Sequence, residues 1–233
     1  MSNFFMLIGN FIRSFFVRKK MKPNEYVWYA GYGSNLYRER FHCYIVGGTA
    51  PGADDINSGC TDKTLPIQES ADIIHHDLYF AKRSSKWQGG GLGLVRIKAS
   101  QGIQTYCNMY LITKEQFVEV VRQENKNDNS INIDFNAALK NGSFNFKPGG
   151  TYGNLLHVGY KSNYPIFTFT SSVNEFPSRR PSERYLKMFM SGLLESHKLA
   201  KQQIIDYLIS KDGIMNNYSL EQLAEVFESL DSS

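Results

Sequence analysis

Period-2 alternation governs the middle of this chain, and a 3.6-residue period governs its end. Residues 26–32 alternate and are rich in aromatics, which predicts a central strand. A helical spacing follows over 36–46 and stops at Gly47 and Gly48. Residues 49–70 are polar and broken by Pro51, Gly52, Gly59 and Pro66, so a long loop is expected there. Three strands are expected at 73–82, 91–98 and 104–113, joined by turns at Ser84-Ser85 and Gln101-Gly102 into an antiparallel meander. Over 114–124 the period returns to helical, with Phe117, Val120 and Val121 inward and Thr113 with Gln116 forming a capping box; 125–132 is polar and breaks it. A short helix at 135–140 and strands at 155–158 and 166–170 precede helical periods at 185–195, 200–209 and 220–229. Strands first and helices last predict an α+β fold, the C-terminal third packing on the β layer.

The first 23 residues follow a different rule. On a helix, Phe4, Phe5, Ile8, Phe11, Ile12, Phe15 and Phe16 share a broad face, while Asn3, Asn10, Arg13, Ser14 and Arg18 fall opposite. The apolar stretch is too short and too interrupted to span a bilayer, and its charges follow the apolar run, unlike those of a secretory signal. Two readings stay open. Residues 4–20 attach to a membrane surface or a partner, or translation starts at Met21. The expected organisation is therefore a basic leader over 1–23 and a single domain over 24–233.

Composition supports one domain: 233 residues with 42% hydrophobic content are enough for a sizeable core. The net charge of +4 arises in the leader. Five of the 26 lysines and arginines lie there without an acid, leaving 21 basic against 22 acidic residues, or −1, in the rest. A nearly neutral body without a basic-aromatic motif disfavours nucleic acid as a partner. Cys43, Cys60 and Cys107 are odd in number and lack Cys-x-x-Cys spacing, so neither a disulfide framework nor a zinc site is indicated, and a reducing cytoplasmic setting is expected. His75 and His76 are adjacent on an expected strand and so point to opposite faces, which argues against a shared metal.

Candidate chemistry starts at residues 29–36, Tyr-Ala-Gly-Tyr-Gly-Ser-Asn-Leu, where an aromatic strand enters a Gly-Ser-Asn turn and then a helix. Gly33 permits close backbone approach, Ser34 and Asn35 suit a tight turn or a cap, and oriented N–H groups favour a carboxylate or phosphate. Taken alone this is also what an ordinary strand-to-helix turn looks like. Further segments follow in order: Trp87-Gln-Gly-Gly-Gly91, a strand at 105–113, a helix ending Arg122-Gln-Glu-Asn125, the strand Tyr164-Pro-Ile-Phe-Thr-Phe-Thr-Ser171, and Pro181-Ser-Glu-Arg-Tyr-Leu-Lys187 with Gly192-Leu-Leu-Glu195 behind it. Together they resemble the gamma-glutamylcyclotransferase family over most of the chain outside the leader.

That resemblance implies a small, mostly antiparallel, barrel-like sheet flanked by helices, and a cofactor-free, metal-independent cyclisation that releases 5-oxoproline from a gamma-glutamyl amine or peptide. It puts Glu124 at the acid/base position. The backbone over Tyr32, Gly33, Ser34, Asn35 and Leu36 is expected to hold the substrate's α-carboxylate or polarise its γ-carbonyl. Tyr185 falls on a tyrosine that reaches the pocket, and packing in the core is the alternative for it. Trp87 and Gly89 to Gly91 are expected to allow tight strand packing, since no Lys-Ser/Thr follows as in a nucleotide loop. The chain departs from the better-known glutathione-metabolising members in its polar segment 125–132, which leaves the amine half of the substrate unspecified. Two other readings remain: cleavage of a different gamma-glutamyl or acyl amide, and a non-catalytic module that senses a small acid.

Overall fold

The computed structural model describes residues 23–173 and 175–232. The leader through residue 22, and with it the expectation of a membrane or partner contact over 4–20, lies outside them. Among the described residues eight strands and six α-helices follow one another: β1 (Tyr26–Gly31), α1 (Arg38–Val46), β2 (Gln68–Ile74), β3 (His76–Ala81), β4 (Leu92–Ala99), β5 (Thr105–Thr113), α2 (Lys114–Glu124), α3 (Phe135–Asn141), β6 (Ser143–Asn145), β7 (Asn154–Lys161), β8 (Tyr164–Thr170), α4 (Glu183–His197), α5 (Lys201–Ile209) and α6 (Leu220–Glu228). The fold is α+β. Among the described residues no helix is long and apolar enough to cross a membrane.

Six strands form one sheet in the order β2-β5-β1-β8-β7-β6, and β3 with β4 forms a second. Every pairing is antiparallel except β1 with β8. Alternation along β1 decides where the cores sit. Val27 and Tyr29 point into one apolar cluster with Phe41 of α1 and Phe117 of α2, while Trp28 and Ala30 point into another with Phe189 of α4 and Ile205 of α5. A strand buried on both faces belongs at the centre, and β1 lies there.

The meander expectation is corrected. The single strand expected over 73–82 is two strands that turn a corner at His75 and enter different sheets, β2 pairing with β5 and β3 with β4. His75 Nδ1 bonds to Ile103 O at 2.8 Å and His76 Nδ1 to Arg96 O at 2.9 Å, so each histidine holds its own side of the corner. β5 does not pair with β4; it lies between β2 and β1. The small sheet joins the large one through Thr170, whose hydroxyl donates to Val95 O at 2.7 Å and accepts from Val95 N–H at 3.2 Å.

Local chemistry explains α2 as expected. Thr113 Oγ1 accepts from Gln116 N–H and Gln116 Oε1 accepts from Thr113 N–H, both at 3.1 Å, a cap that stabilises by about 1 kcal/mol. Gln116 Nε2 also donates to Asp62 O and Thr64 O, which ties the long loop to this helix. At Gly90 and Gly91 an added Cβ would lie 2.3 Å from Ser182 N and from Arg179 O. The glycine run therefore serves close packing against the segment that leads into α4.

Candidate functional site

Tyr29 begins the site. Its ring packs 5.3 Å from both Phe41 and Phe169 and 5.7 Å from Phe117, each contact stabilising by about 1 kcal/mol, and this fixes its hydroxyl. Past the end of β1 the chain makes a 3-10 turn over Ser34–Leu36, which brings Asn35 back toward that hydroxyl. Asn35 Nδ2 donates to Tyr29 Oη at 3.0 Å and to Glu124 Oε1 at 3.2 Å. Asn35 Oδ1 is buried and has no partner among the described residues.

Glu124 is the last residue of α2, and the helix stops there for a local reason. Asn125 turns its side-chain amide back to Val121 O and across to Tyr152 O, both at 3.0 Å, and Lys126 and Asn127 adopt left-handed backbone conformations. The same asparagine that ends the helix therefore holds the Tyr152 segment beside Glu124.

Tyr185 reconciles both of its expected roles. Its ring packs in the core, 5.0 Å from Trp87 and 6.1 Å from Phe80. Its hydroxyl reaches the site and accepts from Gly93 N–H at 3.1 Å. An added Cβ at Gly33 or at Gly93 would lie 3.0 Å from that oxygen, so the phenol fits between two glycines. Tyr32 Oη donates to Phe169 O at 2.9 Å.

These groups line one small chamber of about 20 Å³, bounded by Tyr29, Tyr32, Gly33, Ser34, Asn35 and Glu124, with Gly93, Tyr152, Phe169 and Tyr185 closing it. Of the residues expected from sequence, Leu36 alone is not brought in. Its side chain is fully buried in the core and its N–H is taken by Gly33 O at 3.0 Å, as the turn requires. Tyr29, Gly93, Tyr152 and Phe169 were not expected. Tyr29 lies within the motif, and Tyr152 stands among the loop glycines Gly149, Gly150 and Gly153, a signal that could have marked it.

Burial pushes the phenols up. It holds Tyr29 well above the usual range against the hydrogen bond from Asn35, with Glu124 adding to the rise, and it raises Tyr152 likewise, with Tyr185 and Glu124 adding. Burial carries Tyr185 to about 12 despite backbone hydrogen bonds from Gly93 and Ser34. All three stay protonated at neutral pH, so the chamber combines one carboxyl group with neutral hydroxyls and a glycine-rich backbone. Such a site can move a proton at Glu124 and orient a polar ligand against the turn. Among the described residues no group of three or more His, Cys, Asp or Glu could hold a metal ion.

No family model matches the chain. In sequence it is similar to a histone deacetylase 5 of Arabidopsis thaliana, 34% identical over an alignment of 208 residues, with 79% of this chain and 31% of that protein covered. The chain thus spans about a third of the length of that curated relative. Among solved structures it is similar to a gamma-glutamyl cyclotransferase, with TM-score 0.48 and 17% identity over 90% of this chain and 100% of that one. An uncharacterized protein from Homo sapiens gives TM-score 0.47 and 18% identity over 88% and 99%. A gamma-glutamyl cyclotransferase specific to glutathione from yeast gives 0.31 and 13% over 90% and 97%.

Proposed function

We propose that the chain is an intramolecular cyclotransferase that releases 5-oxoproline from a gamma-glutamyl amine or peptide, with Glu124 moving the proton. The observation that carries this reading is the Asn35 amide. Its Nδ2 is bonded to Glu124 while its buried Oδ1 has no partner among the described residues, so a hydrogen-bond acceptor stands beside a proton acceptor. A substrate ammonium group suits that pair: one N–H donates to Asn35 Oδ1 and another proton passes to Glu124.

In this mechanism the α-amine, once deprotonated, attacks the γ-carbonyl carbon and closes a five-membered ring. As the γ-amide C–N bond breaks, Glu124 returns its proton to the departing nitrogen, and the ring nitrogen's second proton follows by the same route, so 5-oxoproline and an ammonium product leave. No water and no metal takes part. The backbone at Gly33 to Asn35 orients the α-carboxylate or the developing oxyanion, and holding the chain folded back supplies much of the rate. The three cysteines are free, which suits a reducing cytoplasm. We extend the proposal to the leader, whose residues 4–20 would touch a membrane surface or a partner.

The test is 5-oxoproline release, followed by mass spectrometry, from a panel of gamma-glutamyl amino acids, amines and peptides, using the full chain and its Glu124→Gln variant. Release by the unaltered protein alone is expected. Silence across the panel with ligand binding retained would turn the reading to a small-acid sensor.

A further inference from the structure

The chamber at Glu124 opens into a cleft of about 610 Å³, with Ser34, Glu124 and Tyr152 common to both. The cleft carries five cationic side chains, those of Arg40, Arg83, Lys86, Lys126 and Lys147, against the carboxylates of Asp55 and Glu124. Two of the cations are committed. Lys86 pairs with Asp55 and Lys147 with Asp128, each at 2.7 Å. Arg83 and Lys126 have no ion-pair partner among the described residues.

Arg40 is the unusual member. It is 1% exposed, although it stands in the first turn of α1, where an Arg-Glu-Arg run reads as a solvated face. One nitrogen, Nη2, donates to Tyr44 Oη at 2.8 Å, and the guanidinium lies 5.1 Å from the Tyr44 ring and 5.5 Å from the Trp87 ring. Nε and Nη1 have no hydrogen-bond partner among the described residues. Burial opposes the Arg40 charge, and Tyr44, Glu124 and Asp55 outweigh that cost through the field of the cleft, yet no group bonds Nε or Nη1, and an anion in the cleft that Arg40 lines would do so. The three uncommitted cations, Arg40, Arg83 and Lys126, exceed the one uncommitted carboxylate, Glu124, by two charges.

We propose that this cleft receives the departing amine half of the substrate and that this half carries two negative charges, one held at Arg40 and the other between Arg83 and Lys126. The substrate class is then a gamma-glutamyl conjugate of an acidic amino acid, or of a peptide ending in one. The proposal rests on the cyclotransferase reading for the identity of the other half. The charge balance argues the rest. A neutral or cationic amine leaves the buried guanidinium unpaired, and a single carboxylate leaves the rim pair unused.

Gamma-glutamylglutamate and gamma-glutamylglutamine are nearly isosteric and differ by one charge, so they isolate the second anion. Turnover is measured on the active protein and binding by calorimetry on Glu124→Gln, with the double variant Arg83→Gln, Lys126→Gln alongside. The glutamate conjugate is expected to be preferred about tenfold in both kcat/KM and affinity, the size of one charge-assisted contact. The preference shrinks in high salt and falls to within about twofold in the double variant. Equal kcat/KM and equal affinity for the two dipeptides overturn the proposal. Absence of 5-oxoproline from either, with the binding preference kept, overturns the cyclotransferase reading and supports the anion cleft. For Arg40, the comparison is gamma-glutamylglutamine with the uncharged gamma-glutamylbutylamide. Arg40→Met narrows that gap if the guanidinium holds a carboxylate, and an equal loss on both overturns its part.

Discussion

The side-chain amide of Asn35 donates to Glu124 Oε1 across 3.2 Å, although the two residues stand 89 positions apart. That bond joins the turn after β1 to the end of α2, so the two local motifs become one site. It also determines how each can be tested.

Glu124→Gln keeps an oxygen where Asn35 donates and removes the group that takes and returns a proton. Turnover should fall by about 10²–10⁴-fold, the range for loss of a general acid/base, while substrate affinity and thermal midpoint stay close to those of the unaltered protein. Single-turnover kinetics beside calorimetry checks this. A parallel loss of binding would mean that Glu124 holds the site together and moves no proton.

Asn35→Ala removes the donor shared by Tyr29 Oη and Glu124 Oε1. Tyr29 is buried, so its hydroxyl loses a bond that water does not readily replace, and stability should fall by about 1–3 kcal/mol in urea unfolding. Asn35→Asp should be worse than alanine for activity, because it sets an acceptor and a second negative charge against Glu124. An aspartate variant as active as the asparagine protein would contradict the donor role.

Gly33→Ala tests the fit around Tyr185. The new Cβ would lie 3.0 Å from the Tyr185 hydroxyl, which also touches Gly93 and accepts its N–H, so the phenol has little room to retreat. Activity should drop at least about tenfold, as sub-ångström displacement of positioned groups does. Tyr185→Phe removes the crowding together with the acceptor, leaving the Gly93 N–H unpaired at a cost of about 1–3 kcal/mol. If the clash is the cause, Tyr185→Phe should partly restore the active-site geometry of Gly33→Ala. A crystal structure of the double variant, or recovery of its kcat, checks that.

The ends of this site were legible because each is a local pattern. Thr113 with Gln116 marks the start of α2, and Asn125 to Asn132 mark where it stops, so Glu124 could be placed at a helix end without knowing its surroundings. The central place of β1 was legible in its aromatic content, whereas its burial on both faces departs from the alternation expected there. Nonlocal pairing was not. Nothing at His75 resembles a turn signal, since the corner is held by histidine bonds to the distant carbonyls of Ile103 and Arg96. β6 has three residues, too few to show alternation. Phe169 reaches the chamber on β8, and Tyr152, in the loop before β7, is held there by Asn125. Leu36 was misjudged for the opposite reason: the motif suggested a free N–H, and the turn geometry that gives the motif its shape consumes it.

Histidine protonation should set the acid limit of the fold. Burial lowers His76, His157 and His197 below the ordinary value near 6.5, against backbone hydrogen bonds that raise them less. A histidine with a lowered folded-state value contributes stability that is fully present above 6.5 and is lost as pH falls through and below it, because the unfolded chain takes up the proton first. Asp72 follows in the same direction at lower pH. Burial opposes its charge, but Lys161 at 2.6 Å and the Ile73 N–H outweigh that and keep the carboxyl below its usual range, so its contribution is lost as pH falls through that lowered value. The urea midpoint should therefore be level from pH 8 to 7 and decline between about pH 6.5 and 5, before carboxylates protonate. His76→Asn places an amide nitrogen where Nδ1 meets Arg96 O and has no proton to gain, so its decline over that interval should be shallower. A midpoint that holds level to pH 5 would show that these rings are charged at no cost in the folded protein, which their burial argues against.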